Sequence, residues 1–184
     1  MKIHIFGASG SGTTSLGEAL SQRWSYTHLD ADDYYWVKTD PPFQEKIPIE
    51  KRNARITEDF EALENVIISG SMVSWGPEWT HAYDYAIFLY VPPALRLERL
   101  RAREVERYGK LLDTNPTFKQ NSEAFLTWAS QYDEGTFTGR SLAVHERWIE
   151  QLTCPVIRLD NTGTMDDLVA EVAIIFANFA ENDF

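Results

Sequence analysis

The sequence predicts an α/β domain in which a parallel sheet carries helices on both faces. Three observations lead there. Short apolar runs rich in branched and aromatic side chains recur along the chain, most of them too short for helices. Stretches with helical spacing of apolar residues fall between them. A glycine-rich segment, "GASGSGTT" at 7–14, joins the first run to the first helical stretch, so the chain passes tightly from strand into helix.

Taken in order, Lys2 to Phe6 is the first strand and Ser15 to Trp24 the first helix. A weaker strand runs from Tyr26 to Leu29. Residues 31–48, "ADDYYWVKTDPPFQEKIP", break the alternation, being polar, aromatic and proline-bearing. A helix follows over about Ile49 to Glu64, then strands at Val66 to Ser69 and Tyr85 to Val91, then a helix from Ala94 to about Arg107. Residues 108–140 break the alternation again, around one short helical piece from Ser122 to Tyr132. The last strand, Val156 to Leu159, follows Cys154, a lone cysteine that reads as a small core residue. In the last helix, about Met165 to Phe179, Leu168, Val172, Ile175, Phe176 and Phe179 share one face behind a Thr164 cap. Open α/β sheets bind ligands beyond the carboxyl ends of their strands. The two irregular stretches therefore read as insertions that cover such a site.

The glycine-rich segment has the physical properties of a phosphate cradle. Gly7, Gly10 and Gly12 permit backbone turns and close approaches that a side chain would block, so the N–H groups from Ser9 through Ser11 and Thr13 to Thr14 can turn onto an anion. The following helix adds the positive end of its dipole. Thr14 stands where a magnesium-ligating hydroxyl belongs in the pattern G-x-x-x-x-G-K-[ST], whereas the lysine of that pattern is replaced by Thr13. A threonine donates a neutral hydrogen bond, weaker than the charge-assisted bond of lysine, so another cation is needed near the outer phosphates.

Charge narrows the partners. With 17 basic and 28 acidic residues the net charge is −11, which argues against nucleic acid. The absence of a basic-then-apolar leader and of any bilayer-length apolar run leads to the expectation of a cytoplasmic chain without a membrane partner. Six of the 17 basic residues nevertheless crowd between Arg96 and Lys110, enough for a local anion site. Arg96, Arg99, Arg103 and Arg107 fall on one helical stripe.

With these residues on view, the chain resembles the P-loop kinases of the adenylate kinase and shikimate kinase type. The resemblance rests on "GASGSGTT", "HLDADD", "VIISGS", "YDYAIFLYVPPALRLERLRARE" and "CPVIRLDNTG", in order and over nearly the whole chain. It implies a three-layer fold with a five-stranded parallel sheet of order 2-3-1-4-5. Residues 1–184 then form a single domain: a core at about 1–30, 64–107 and 141–184, an acceptor-binding segment at about 31–63 and a lid at about 108–140. The implied ligands are ATP or another nucleoside triphosphate, Mg2+ and a small-molecule phosphoryl acceptor. Carried onto this sequence, the shikimate-type D-x-D pattern puts Asp30 with Thr14 on the metal side and Asp32 on the acceptor hydroxyl. Asp33 either joins the acceptor site or caps a turn. Arg103, Arg107 and Arg140, the last in "TGRS" where the second insertion returns, are the cations expected to replace the lysine. Two acceptor classes stay open. A nucleoside monophosphate would use Arg52 and Arg55 for its phosphate and Tyr34, Tyr35 and Trp36 for its base; a hydroxylated metabolite would use the aspartates. A nucleotide-binding regulator that has lost catalysis at Thr13 is the alternative from a different class.

Overall fold

The computed structural model describes residues 1–182. Its five strands, β1 (Lys2–Gly7), β2 (Thr27–Asp30), β3 (Val66–Ser69), β4 (Tyr85–Tyr90) and β5 (Val156–Asp160), form one parallel sheet in the order β2-β3-β1-β4-β5. This is the expected sheet. The helices are α1 (Thr13–Trp24), α2 (Ala31–Tyr35), α3 (Ile49–Glu61), α4 (Pro93–Tyr108), α5 (Leu111–Thr114), α6 (Pro116–Ser130), α7 (Leu142–Ile149) and α8 (Met165–Asn182).

Alternation along the strands divides the core in two. Ile3 and Ile5 of β1, Ile67 of β3 and Ile87 of β4 meet Leu16 and Leu20 of α1 and Leu168 and Val172 of α8. On the opposite face Phe6, Val66, Ile68 and Phe88 meet Ile56 and Phe60 of α3, Trp148 of α7, and Trp79 in a 3-10 turn at Pro77–Thr80. His4 lies on this second face, stacked against Phe6 and Tyr83. Both faces are covered because the crossovers between the parallel strands carry α-helices, except β3 to β4, which passes through the 3-10 turn. Thr164 caps α8 as expected: its Oγ1 accepts from the Asp167 N–H at 3.2 Å.

Several elements differ from the sequence reading. The first irregular stretch begins with a helical turn, α2, because Asp30 caps it by accepting the Asp32 N–H at 2.9 Å. The second is mostly helical: α6 runs for 15 residues, starting behind an Asn115 cap and Pro116, rather than only from Ser122 to Tyr132. α7 had no counterpart in the sequence reading, since two turns carry little periodic signal. Its N-cap is Ser141, which accepts from the Val144 N–H. β2 and β5 are sheet edges and only partly buried, and Cys154 packs half-buried beside β5. Among the described residues, no helix is long and apolar enough to cross a membrane.

Candidate active site

A cleft of about 1290 Å³ opens at the carboxyl ends of the strands. Its floor is the glycine loop. Gly10 and Gly12 take φ values of +85° and +91°, a left-handed backbone that disfavours any side chain. A Cβ on Gly12 would stand 2.5 Å from Asn161 Nδ2, and one on Gly10 would stand 2.9 Å from Leu100 of α4. Asn161, just beyond β5, donates that Nδ2 to the Ser11 carbonyl at 2.8 Å, so the loop is clamped from the far end of the chain.

Gly7, Ser9, Gly10, Gly12, Thr13 and Thr14 all line the cleft, whereas Ser11 does not. Its side chain is fully buried, and its N–H is donated to the Ala8 carbonyl at 3.0 Å. The expected run of phosphate-facing amides is therefore interrupted at Ser11. A tight turn within the loop uses that donor.

Thr14 donates its hydroxyl to Asp30 Oδ2 at 2.7 Å, joining the start of α1 to the end of β2. The other oxygen of Asp30 is the α2 cap, which fixes the carboxylate plane. One hydroxyl and one carboxylate oxygen are hard donors, and Mg2+ takes few protein ligands beside phosphate oxygens and water. The pair fits that ion.

Asp32 opens into the same cleft. Its carboxyl keeps a solvent path, yet the surrounding walls exclude much of the bulk water. Burial and then the Asp30 charge push its pKa above the usual carboxylate value, opposed by Arg140, Arg103 and Arg107. Asp33 plays neither expected part. It faces solvent beside Lys38 at 3.9 Å, and Asp30 is the cap.

Three arginines face this carboxylate. Arg140 Nη2 donates to Ser9 Oγ at 3.1 Å, and its guanidinium lies 5.1 Å from the Trp128 ring centre. Burial lowers its pKa and Asp32 opposes that shift. Arg103 has the same balance, with burial and Arg107 lowering its pKa and Asp32 raising it. Its Nε is buried without a hydrogen-bond partner among the described residues. Arg107 packs on Phe43 at 4.4 Å and pairs loosely with Glu104 at 3.8 Å.

The arginine stripe does not act as one unit. Arg96 is 1% exposed and donates to the Ala129 carbonyl at 2.8 Å and to Asp133, so it anchors the end of α6. Eleven residues of helix span about 16 Å, too far for both ends to serve one phosphate. Arg99 is absent from the cleft wall.

Arg52 and Arg55 also depart from expectation, because neither lines the cleft. Arg52 is buried behind it, its guanidinium 4.2 Å from the Trp75 ring centre and 4.8 Å from that of Tyr35. Arg55 is exposed and lies over Tyr34, whose hydroxyl is donated to Asp59. Tyr35, Trp36, Phe43, Trp75, Phe125 and Trp128 make the cleft's outer wall strongly aromatic. Sequence reasoning missed Lys46, a cleft cation over Tyr35 and Trp36, and Ser71, just beyond β3. The bridge between Trp36 and Lys46, which returns the lysine to the wall, leaves no mark in local sequence.

Known proteins carry related chains. Residues 3–124 match the family model described as AAA domain. A Bacillus subtilis (strain 168) protein, "Uncharacterized protein YqaC", is 41% identical over 92% of this chain and 94% of its own. A Methanoregula boonei cytidylate kinase is 29% identical over 56% of this chain and 62% of its own. Among solved structures, the shikimate kinase of Bacteroides thetaiotaomicron superimposes with a TM-score of 0.59 at 17% identity, over 96% of this chain and 98% of that one. The sheet order and the glycine loop passing into α1 agree with the fold of that kinase, and the family match shows that the chain belongs to the AAA domain family.

Proposed function

We propose that this chain is an ATP- and magnesium-dependent kinase that phosphorylates a hydroxyl group of a small molecule. The observation that carries the reading is the juxtaposition at one cleft floor of the Thr14–Asp30 pair, Asp32 and an arginine already bonded to the glycine loop.

The loop amides and the α1 N-terminus hold the β-phosphate. Thr14 and Asp30 would hold Mg2+, which supplies charge neutralisation between the outer phosphates when bound. Asp32 accepts the proton of the acceptor hydroxyl as its oxygen bonds to the γ-phosphorus. The bond to the β–γ bridging oxygen breaks, giving ADP and a phosphate monoester. A carboxylate held above its usual pKa is a better proton acceptor, and its position matters more than its strength in a loose transition state. Arg140 and Arg103 supply the positive charge that Thr13 lacks, with Arg107 behind them. Arg140 returns from residues 108–140, the proposed lid, so closure of that segment completes the charge around the γ-phosphate.

Thr13 itself favours a second reading, a nucleotide-binding regulator without transfer chemistry. One experiment separates the two. Purified protein with ATP and Mg2+ is offered nucleoside monophosphates, sugars and hydroxy acids. We expect transfer to a sugar or a hydroxy acid, abolished by Thr14→Ala; transfer to nucleoside monophosphates alone would overturn the hydroxyl acceptor, and nucleotide binding with no product across the panel would establish the regulator instead.

A further inference from the structure

Ser71 lies two residues past β3 and lines the cleft, although no motif in the sequence marks it. Its Oγ is 3.0 Å from His145 Nε2, and His145 Nδ1 is 2.7 Å from the Tyr132 hydroxyl. His145 is fully buried, with Phe6 and Phe88 set edge-on around it. Burial, with repulsion from Arg140 and His4, lowers its pKa to about 3, so the ring is neutral. A neutral imidazole donates from one nitrogen and accepts at the other.

The two hydroxyls decide which nitrogen carries the proton, an assignment made from the hydrogen-bond network. Tyr132 is 4% exposed, and its hydroxyl has no second partner among the described residues. Were it to accept from Nδ1, its own proton would be stranded away from water. Tyr132 therefore donates to Nδ1, and the ring proton sits on Nε2 and is donated to Ser71. Ser71 accepts that bond, which leaves its own O–H without an acceptor among the described residues. The direction left open to that proton is the cleft.

β2 and β3 pair with Asp30 opposite Ser69, so Asp32 and Ser71 each lie two residues beyond one paired position. Between them Gly70 fits closely against Ala31, where an added Cβ would stand 2.9 Å from the alanine methyl. A proton acceptor, Asp32, and a proton donor, Ser71, thus stand at neighbouring strand ends. We propose that Ser71 binds the phosphoryl acceptor by donating its hydroxyl to a substrate oxygen beside the reacting hydroxyl, with His145 and Tyr132 as positioning residues that hold the donor toward the cleft. The substrate this recognises carries a hydroxyl next to a second oxygen function, as in a vicinal diol or an α-hydroxy acid.

The assignment rests on the kinase reading above, and the test keeps the two apart. Imidazole ¹⁵N NMR of the full chain needs no ligand: we expect His145 in the Nε2–H form, and loss of that fixed form in Tyr132→Phe. An Nδ1–H ring in the wild type overturns the relay whether or not the chain is a kinase. With ATP, Mg2+ and the best acceptor of the panel, Ser71→Ala should raise the acceptor KM on the order of tenfold and leave the ATP KM within about twofold. Ser71→Thr should restore it. An unchanged acceptor KM, or an equal rise for ATP, overturns the contact. Absence of transfer to any panel member removes the acceptor role together with the kinase reading, and the NMR result then locates the failure in the function rather than in the relay.

Discussion

Arg140 and Asp32 are coupled, and the coupling has a measurable sign. The arginine lowers a carboxyl pKa that burial and Asp30 raise. Arg140→Ala therefore moves the acid limb of the pH–rate profile to higher pH, because the aspartate becomes easier to protonate. It should also lower kcat by on the order of 10³, as loss of a transition-state arginine does, with a smaller effect on nucleotide affinity. An acid limb that stays in place would show that the two charges do not interact. Asp32→Asn should cost roughly 10² to 10⁴ in kcat while ATP binding, read by calorimetry, persists. At Gly12 the backbone sits at φ +91° and a Cβ would collide with Asn161. Gly12→Ala should thus abolish nucleotide binding, and retention of wild-type affinity would show that the Asn161 side chain yields and the loop holds without its clamp.

At the scale of elements, α4 has two jobs along its length. Its N-terminal part holds α6 through buried Arg96, and its C-terminal part offers Arg103 and Arg107 to the cleft. Arg96→Ala leaves Asp133 without its cation and the Ala129 carbonyl without its donor, a change costing about 3–5 kcal/mol when a buried pair is broken. We expect limited proteolysis to cut within 111–133 in that variant well before the rest of the chain; an unchanged digestion pattern would show that α6 is held elsewhere. The same helix explains what the sequence made legible. The strand–loop–helix unit follows from local spacing and could be read directly, whereas the pairing of Thr14 with Asp30, whose strands are separated by β3, was reached through the resemblance to shikimate-type kinases. A helical stripe reports only which residues share a face, not which neighbour covers each turn, so the stripe alone could not show that Arg96 is buried under α6. Arg52 was hidden in the same way, because only the packed structure puts Tyr35 and Trp75 in front of it. Ser71, Tyr132 and His145 meet through contacts between separate segments, and Lys46 reaches the cleft through its bridge to Trp36; local periodicity has no signal for either.

For the whole molecule, acid is the condition under which the fold is most exposed. His4 and His145 both have folded pKa values lowered to about 3, chiefly by burial, against 6.5 for an unburied ring. Between those values the unfolded chain binds the protons and the folded chain does not. Stability therefore falls as pH drops from about 6.5 toward 3, by about 1.4 kcal/mol per unit for each histidine once its unfolded form is fully charged. Denaturant unfolding across pH 4–7 should show this slope, and His4→Phe, which keeps an aromatic ring in the stack, should reduce it by about one proton; an undiminished slope would assign the acid sensitivity to other groups. The clamp from Asn161 to Ser11 adds a constraint in time. A chain leaving the ribosome displays its glycine loop long before the residue that pins it, and the stretch matched by the AAA domain model, 3–124, ends short of that residue. Nascent chains should therefore acquire nucleotide affinity only after β5 has joined the sheet, so synthesis stalled upstream leaves a loop that cannot yet hold a nucleotide.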